Sequence, residues 1–306
     1  MEVIKIDKFP ACETTARING DKIKEINRKL KCKKFKLKEI YSTFPNKTCT
    51  KFSYFKNVLK QSHTGYRRLD IILHACNLIK IKPRELENCI TSYRTRKSKI
   101  LINKPKIPIK VSPVFYMLIA HLIGDGGYIR FKNKETIYSG YRQFNKKLRL
   151  SFLDKARYVF GDITYTKDYF NKSTRVYLPE VPSLIIRNFV NRKTEFFLSR
   201  KARIPENFLK SKKGNLVAIL TAFIIDEGNI EGTQIAIRLI NKNLVEDLAK
   251  ICEILNYKHT IGKRSPCGMY NLYILSEGLK KYWKDYKRLK KRYNFLTMDF
   301  KEQAIK

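Results

Sequence analysis

Residues 118–127 read LIAHLIGDGG, and residues 220–229 read LTAFIIDEGN. Each is a solid apolar run that stops on an acid followed by glycine. An acid at a helix C-terminus opposes the helix dipole, so two such endings at matching places call for a reason. Small residues stand along both runs: Ala120 and Gly124, four apart, in the first and Ala222 in the second. Small residues at that spacing let two helix backbones approach closely, because no side chain stands between them. If the helices pack together, their C-terminal ends meet, and Asp125 and Glu227 project side by side. Neighbouring carboxylates are hard ligands that suit Mg²⁺ (or Mn²⁺) when phosphate and water oxygens complete the shell. Metal bridging of an attacking water and a leaving oxygen is a route to phosphodiester hydrolysis. The plainer alternative is two ordinary buried helices, each with a C-terminal glycine stop.

Around these runs the same order of elements appears twice. In the first unit a helix over about 113–124 leads to a strand at 128–132. KLRLSF (147–152) alternates strictly and predicts a second strand, with Lys147 and Arg149 on its polar face. DKARYVF is a short helix, strands follow near 163–166 and 174–178, and PSLIIRNFV closes the unit. In the second unit come a helix over 215–226, the alternating strand TQIAIRLI (233–240), a helix at NLVEDLAKICEIL, strands near 259–264 and 270–275, and a final helix at SEGLKKYWKDYKRLKK. The expected fold is α+β, with two pseudo-symmetric αββαββα halves.

Residues 1–100 read as mostly helical. Ile18, Ile23, Ile26 and Leu30 recur at helical spacing, and 68–94 predicts two short helices broken before Pro83, which suits a first helical position. Two short basic helices joined by a tight turn suggest a helix-turn-helix-like DNA-binding unit; a helical bundle with a solvated basic face is the alternative. KSKILINKPKIPIKVSP (97–113) carries three prolines and five lysines, the composition of a linker. It divides the chain into 1–108, the helical region, and 109–306, the core, with halves of about 109–205 and 206–306.

The charge names the class of partner. Sixty-five Lys and Arg against 27 Asp and Glu give a net charge of +38, and that much self-repulsion calls for a polyanion. The excess is +19 in 1–110 and +19 in 111–306, so it is not a detachable basic tail. Nucleic acid is the first candidate and an anionic membrane surface the second. No apolar run approaches the ~20 residues that span a bilayer, and MEVIKIDKFP has no signal-peptide core. Seven cysteines without a CxxC pair or zinc spacing read as reduced thiols, mostly core filler, in a cytoplasmic, nucleoid-associated protein.

LIAHLIGDG (118–126) and LTAFIIDEG (220–228) resemble the paired motifs of LAGLIDADG (dodecapeptide, DOD-type) homing endonucleases of the double-motif, single-chain type. The resemblance covers about 113–300. It implies helix-interface residues at Ala120, Gly124 and Ala222 and metal-binding, catalytic acids at Asp125 and Glu227. His121 and Phe223 are bulkier departures that need not face the partner helix. The family implies two curved sheets forming a saddle over double-stranded DNA. Tyr128, Arg130, Lys132, Lys147, Arg149, Arg175, Gln234, Arg238, Lys263 and Arg264 are the DNA-binding candidates, since Arg pairs with guanine and Gln with adenine edges. It further implies a basic catalytic residue near each scissile phosphate, for which Lys201 and Lys291 are the candidates.

The expected function is site-specific cleavage of both DNA strands by a monomer acting on a long, near-asymmetric site, encoded in an intron or free-standing. The alternative is a catalytically inactive regulator, or a maturase that takes intron RNA, on the same fold. A membrane-surface or ribosome-associated protein finds no support in the alternating strands or the paired acids.

Overall fold

The computed structural model describes residues 2–60, 65–95, 98, 100–130, 137–165, 173–191, 200–262, 267–294, 296–298 and 301–303. The chain is a mixed α/β protein. Its N-terminal part holds β1 (Val3–Ile4), β2 (Thr14–Ile18), α1 (Gly20–Cys32), α2 (Leu37–Ser42), α3 (Phe52–Leu59), β3 (Arg67–Arg68), α4 (Leu69–Leu78), α5 (Pro83–Glu87), β4 (Ile90–Thr95), β5 (Ile102–Asn103) and β6 (Ile109–Lys110). Asn19 caps α1 by accepting the Asp21 N–H at 2.9 Å, and Ile23, Ile26 and Leu30 are buried as the spacing predicts. Lys80 turns the chain at φ +59, and Pro83 opens α5.

The expectation of a mostly helical region is corrected by a sheet. ITSYRT, rich in β-branched and aromatic residues, is strand β4 and pairs with β2 and β5. Helix α5 has only five residues, with Leu86 and Glu87 buried and a Glu87 carboxylate oxygen taking the Ile6 N–H at 2.9 Å.

The first motif run is α6 (Pro113–Gly124), buried from Pro113 to Ile123. It is followed by β7 (Gly126–Arg130), β8 (Ile137–Arg142), α7 (Lys146–Phe160), β9 (Asp162–Ile163), β10 (Arg175–Tyr177) and α8 (Glu180–Phe189). Here the strand predicted at 147–152 is corrected: those residues open α7. Leu148, Phe152, Leu153, Ala156, Val159 and Phe160 are buried at helical spacing, while Leu150, the middle residue of the apparent alternation, is exposed. The strand that pairs with β7 is β8 instead, in a sheet ordered β10-β8-β7. Strand β9 pairs with β5, so the sheet β3-β2-β4-β5-β9 draws its last strand from beyond the boundary expected near 108.

The second motif run follows α9 (Glu206–Leu209) and is α10 (Lys213–Glu227), buried from Asn215 to Ile225. Then come β11 (Gly228–Glu231), a strand not read from the sequence, and β12 (Gln234–Leu239), α11 (Lys242–Ile254), β13 (His259–Gly262), β14 (Tyr270–Ile274) and α12 (Ser276–Arg292), where the sequence pattern predicts them. Their sheet is ordered β11-β12-β14-β13. Helices α6 and α10 make the most extensive contact between elements among the described residues. No helix among the described residues is long and apolar enough to cross a membrane. Of the seven cysteines only Cys76 and Cys252 are buried, so most are not core filler.

Candidate active site at the paired helix ends

Asp125 caps α6 and Glu227 is the last residue of α10. The glycines that follow are required by close approach. A Cβ on Gly126 would stand 2.5 Å from Leu122 Cα, and one on Gly228 would stand 2.6 Å from the Ile224 carbonyl oxygen. Gly228 has φ −84 and ψ 145, so it is not a left-handed helix stop. It lets the strand leave against the last helical turn, which keeps each acid at the root of a sheet.

Packing of α6 on α10 brings the two acids within hydrogen-bond reach of each other. The Asp125 carboxyl is pushed up to about 8, first by burial and then by the Asp226 and Glu227 carboxylates. Burial and Asp226 also raise Glu227, while its hydrogen bond with Asp125 and the nearby Lys301 ammonium act the other way. Like charges this close oppose each other's ionisation, which together with burial holds both carboxyls above their ordinary range. Gln143 Nε2 donates to Asp125 Oδ2 at 2.9 Å. The Arg142 N–H donates to the Asp125 carbonyl at 2.8 Å, fastening the end of β8 to the end of α6.

A third acid lies behind them. Asp226 has a fully buried side chain, and its Oδ2 is 2.8 Å from His121 Nδ1 across the helix interface. The Tyr141 hydroxyl donates to Asp226 Oδ1 at 2.7 Å, and its ring stacks on Phe152. His121 therefore does face the partner helix, and so does Phe223, whose ring would lie 3.5 Å from a Cβ on Gly124. The sequence did not require either residue to face the partner helix, and both do. The sequence carries the signal for this clamp. Where one motif has Gly124 the other has Asp226, and where one has His121 the other has Phe223, so the extra acid comes with an extra partner.

The lysine at the carboxylates is Lys301, which sequence reasoning missed. Its Nζ donates to the carbonyls of Ile224 at 2.9 Å, Ile225 at 2.7 Å and Gly228. It thereby caps the C-terminus of α10 with a cation, the favourable sign at that end. Burial lowers its proton affinity, against the pull of Asp226, Glu227 and Asp125. Lys291 lies in the last turn of α12, whose Leu289 and Arg292 line a cavity of about 340 Å³ with Pro113 and Gly214. Those are the opening turns of α6 and α10, the far end from the acids. Lys201 is exposed beside Ala202, whose carbonyl accepts from Asn241 Nδ2 at 2.7 Å.

Among the other candidates, Ala120 and Ala222 are buried on the packed helices. Tyr128 and Arg130 lie on β7, Arg175 on β10, and Gln234 and Arg238 on β12. Arg238 is exposed and paired with Glu231. Lys147 and Arg149 sit on helix α7 and not on a strand face. The buried Arg149 guanidinium donates to the carbonyls of Gln143 at 2.6 Å and Phe144 at 2.7 Å. Lys132, Lys263 and Arg264 lie outside the described residues.

No family model matches the chain, and no curated protein matches it. Among solved structures, the homing endonuclease I-DmoI in complex with DNA and Mn is similar at 22% identity and a TM-score of 0.40, over 57% of this chain and 94% of that one. I-DmoI in complex with DNA and Ca is similar at 16% identity and a TM-score of 0.40, over 58% of this chain and 90% of that one. The N-terminal LAGLIDADG domain of DUF199/WhiA is similar at 15% identity and a TM-score of 0.34, over 59% of this chain and 84% of that one.

Proposed function

We propose that the chain binds double-stranded DNA and hydrolyses its phosphodiester bonds with a divalent metal ion held between Asp125 and Glu227, as a LAGLIDADG-type site-specific endonuclease. The observation that carries this reading is the meeting of two acids at two helix C-termini, where dipole, burial and mutual repulsion all oppose their charge. A divalent cation relieves all three. Among the described residues no three His, Cys, Asp or Glu side chains converge as a metal cage. Two carboxylates, with the remaining shell left to water and phosphate oxygens, fit a hard cation such as Mg²⁺ or Mn²⁺ better than a softer one.

Such an ion, when bound, supplies charge neutralisation and Lewis acidity at the scissile phosphate. Gln143 orients the Asp125 carboxylate through its 2.9 Å hydrogen bond. Lys301 fixes the last turn of α10 and offsets the negative charge of the acids. The two sheets descend from the acids, and we place Tyr128, Arg130, Arg175, Gln234 and Arg238 on the duplex, with the two halves acting as one pseudo-symmetric saddle. A single chain carries both acids, so a monomer suffices for a near-asymmetric site, and the basic N-terminal region extends the contact.

Cleavage of a randomised plasmid library, with Mg²⁺ against EDTA and wild type against Asp125→Asn, tests the proposal. Discrete metal-dependent cuts that vanish in the variant are expected. Binding that is equal in EDTA, with intact DNA under every metal, would overturn it. Affinity is also expected to fall ~10³-fold from 50 to 200 mM salt if six or more phosphates are contacted.

A further inference from the structure

Two large apolar side chains stand in solvent at corresponding places beside the acids. The strand register fixes the correspondence. Gly126, after Asp125, pairs with Tyr141, and Gly228, after Glu227, pairs with Ile237. Three residues beyond each partner come Phe144 and Ile240, and each precedes the asparagine that caps the next helix, Asn145 or Asn241. Phe144 is 75% exposed and Ile240 is 65% exposed, the two highest values for large hydrophobic residues among those described.

A residue at this position can staple a helix by packing on the fourth helical residue. Those residues are Arg149 and Val245, and such exposures leave most of each side chain off them. Neither apolar residue rides on a loose loop. The Phe144 N–H donates to Gln143 Oε1 at 3.0 Å, and Arg149 holds the carbonyls of Gln143 and Phe144. Next to Ile240, the buried Asn241 accepts the Leu244 N–H at 3.3 Å and donates to the Ala202 carbonyl. Fixed display of apolar surface to water is unfavourable in the isolated chain, so both side chains suit a partner with an apolar interior. The rim around them is cationic: the Arg142 guanidinium lies 5.6 Å from the Phe144 ring centroid, Lys146 and Lys147 follow Phe144, and Lys242 follows Ile240. A polyanion with an apolar interior of stacked rings is duplex DNA, and Phe and Ile are among the side chains that part base steps and kink it.

We infer that Phe144 and Ile240 are paired wedges that enter the duplex at two base steps flanking the bonds facing Asp125 and Glu227, and hold it bent there. The inference rests on the DNA reading above and deepens it by naming the residues that deform the target.

The test uses the full chain in EDTA, so cleavage plays no part. Duplexes are first captured from a randomised library, and 2-aminopurine, which brightens when unstacked, is then scanned through a captured duplex. Wild type is expected to brighten two separate steps severalfold. Phe144→Ala removes one of these signals and Ile240→Ala the other, each with affinity lowered about tenfold, the scale of one lost stacking contact. At these exposures neither truncation disturbs the fold. Normal capture with no brightened step, or with both signals intact in both variants, would overturn the wedges and leave the DNA reading standing. Capture of no duplex at any salt concentration would defeat the DNA reading, and the wedges with it.

Discussion

The two motif helices end alike and are finished differently. At the end of α6 the Asp125 carboxylate takes a hydrogen bond from Gln143; at the corresponding place beside α10 stands the buried, apolar Leu239. Helix α10 carries an additional acid, Asp226, fully paired by His121 and Tyr141 from the first half, and its end is closed by Lys301. One side of the site thus supplies a polar orienter for its acid, and the other supplies the compensating cation. The site is shared but its two sides are unequal, and two DNA strands laid across it would meet different chemistry.

The largest effect should come from removing either acid. Asp125→Asn or Glu227→Gln is expected to lower cleavage by at least ~10³-fold, since metal stabilisation of the transition state is worth several kcal/mol, with DNA affinity retained. Full cleavage by either variant, followed on a recovered target, would break the pairing of the two sides. Proton linkage gives a second reading of the same pair. Asp125 has its value raised from 3.8 to about 8 by folding, so folding takes up a proton. That contribution is fully present below about pH 4 and drains away as pH rises through about 8. In EDTA the Tm of wild type should fall across this window. Asp125→Asn should flatten that slope, and a slope unchanged in the variant would assign it elsewhere.

Next in size is the cross-helix clamp, which tests whether Asp226 is structural. Asp226→Gly or His121→Phe alone leaves a buried polar group without its partner, at a cost of about 3–5 kcal/mol if the pair is ionic. The double variant Asp226→Gly with His121→Phe makes each motif resemble the other and should cost less than the sum. Denaturant titrations of the cycle would settle it, and strict additivity would mean that the two residues do not act as a pair. Smaller again is the glycine junction. Gly126→Ala and Gly228→Ala force a Cβ into backbone at 2.5 and 2.6 Å and should each cost about 1–3 kcal/mol. Gly124→Ala, whose Cβ would meet side-chain atoms first, Asp226 Oδ2 at 3.3 Å and the Phe223 ring at 3.5 Å, should cost less than either. Equal losses at all three positions in thermal melts would remove the distinction between junction and interface.

How much of this was legible in the chain follows from the range of the interactions. The motif helices and most of the second half follow their local period: Ile235, Ile237 and Leu239 are buried on β12 as alternation requires, although Ala236 on the opposite face is buried as well. In the first half a six-residue window misled, because Leu148, Leu150 and Phe152 fit a period of two. Extending the window to Phe160 shows the helical period that the core uses. Strand β8 was hidden by Gly140, an unpromising residue for a strand. A Cβ there would meet the Tyr177 ring at 3.0 Å, so the glycine serves the neighbouring strand β10. Lys301 gave no local signal at all. It is one lysine among many near the C-terminus, and only the fold brings it to carbonyls more than seventy residues away.

The finest test addresses the inequality itself. Gln143→Leu copies Leu239 into the first half and removes a hydrogen bond to Asp125. A hydrogen bond to a charged group contributes about 1.5–3 kcal/mol, so loss of its orienting part should slow one strand by about tenfold. If Gln143 serves only Asp125, the other strand is cut at the original rate, and nicked DNA accumulates in a time course that separates the strands. Equal slowing of both strands would mean that the two acids act as a single unit, and the difference between their surroundings would then concern stability and not chemistry. The Tm of the variant reads that alternative directly. Gln143 is only partly buried, so a leucine there should leave the melt nearly unchanged unless its bond to Asp125 also holds the helix end.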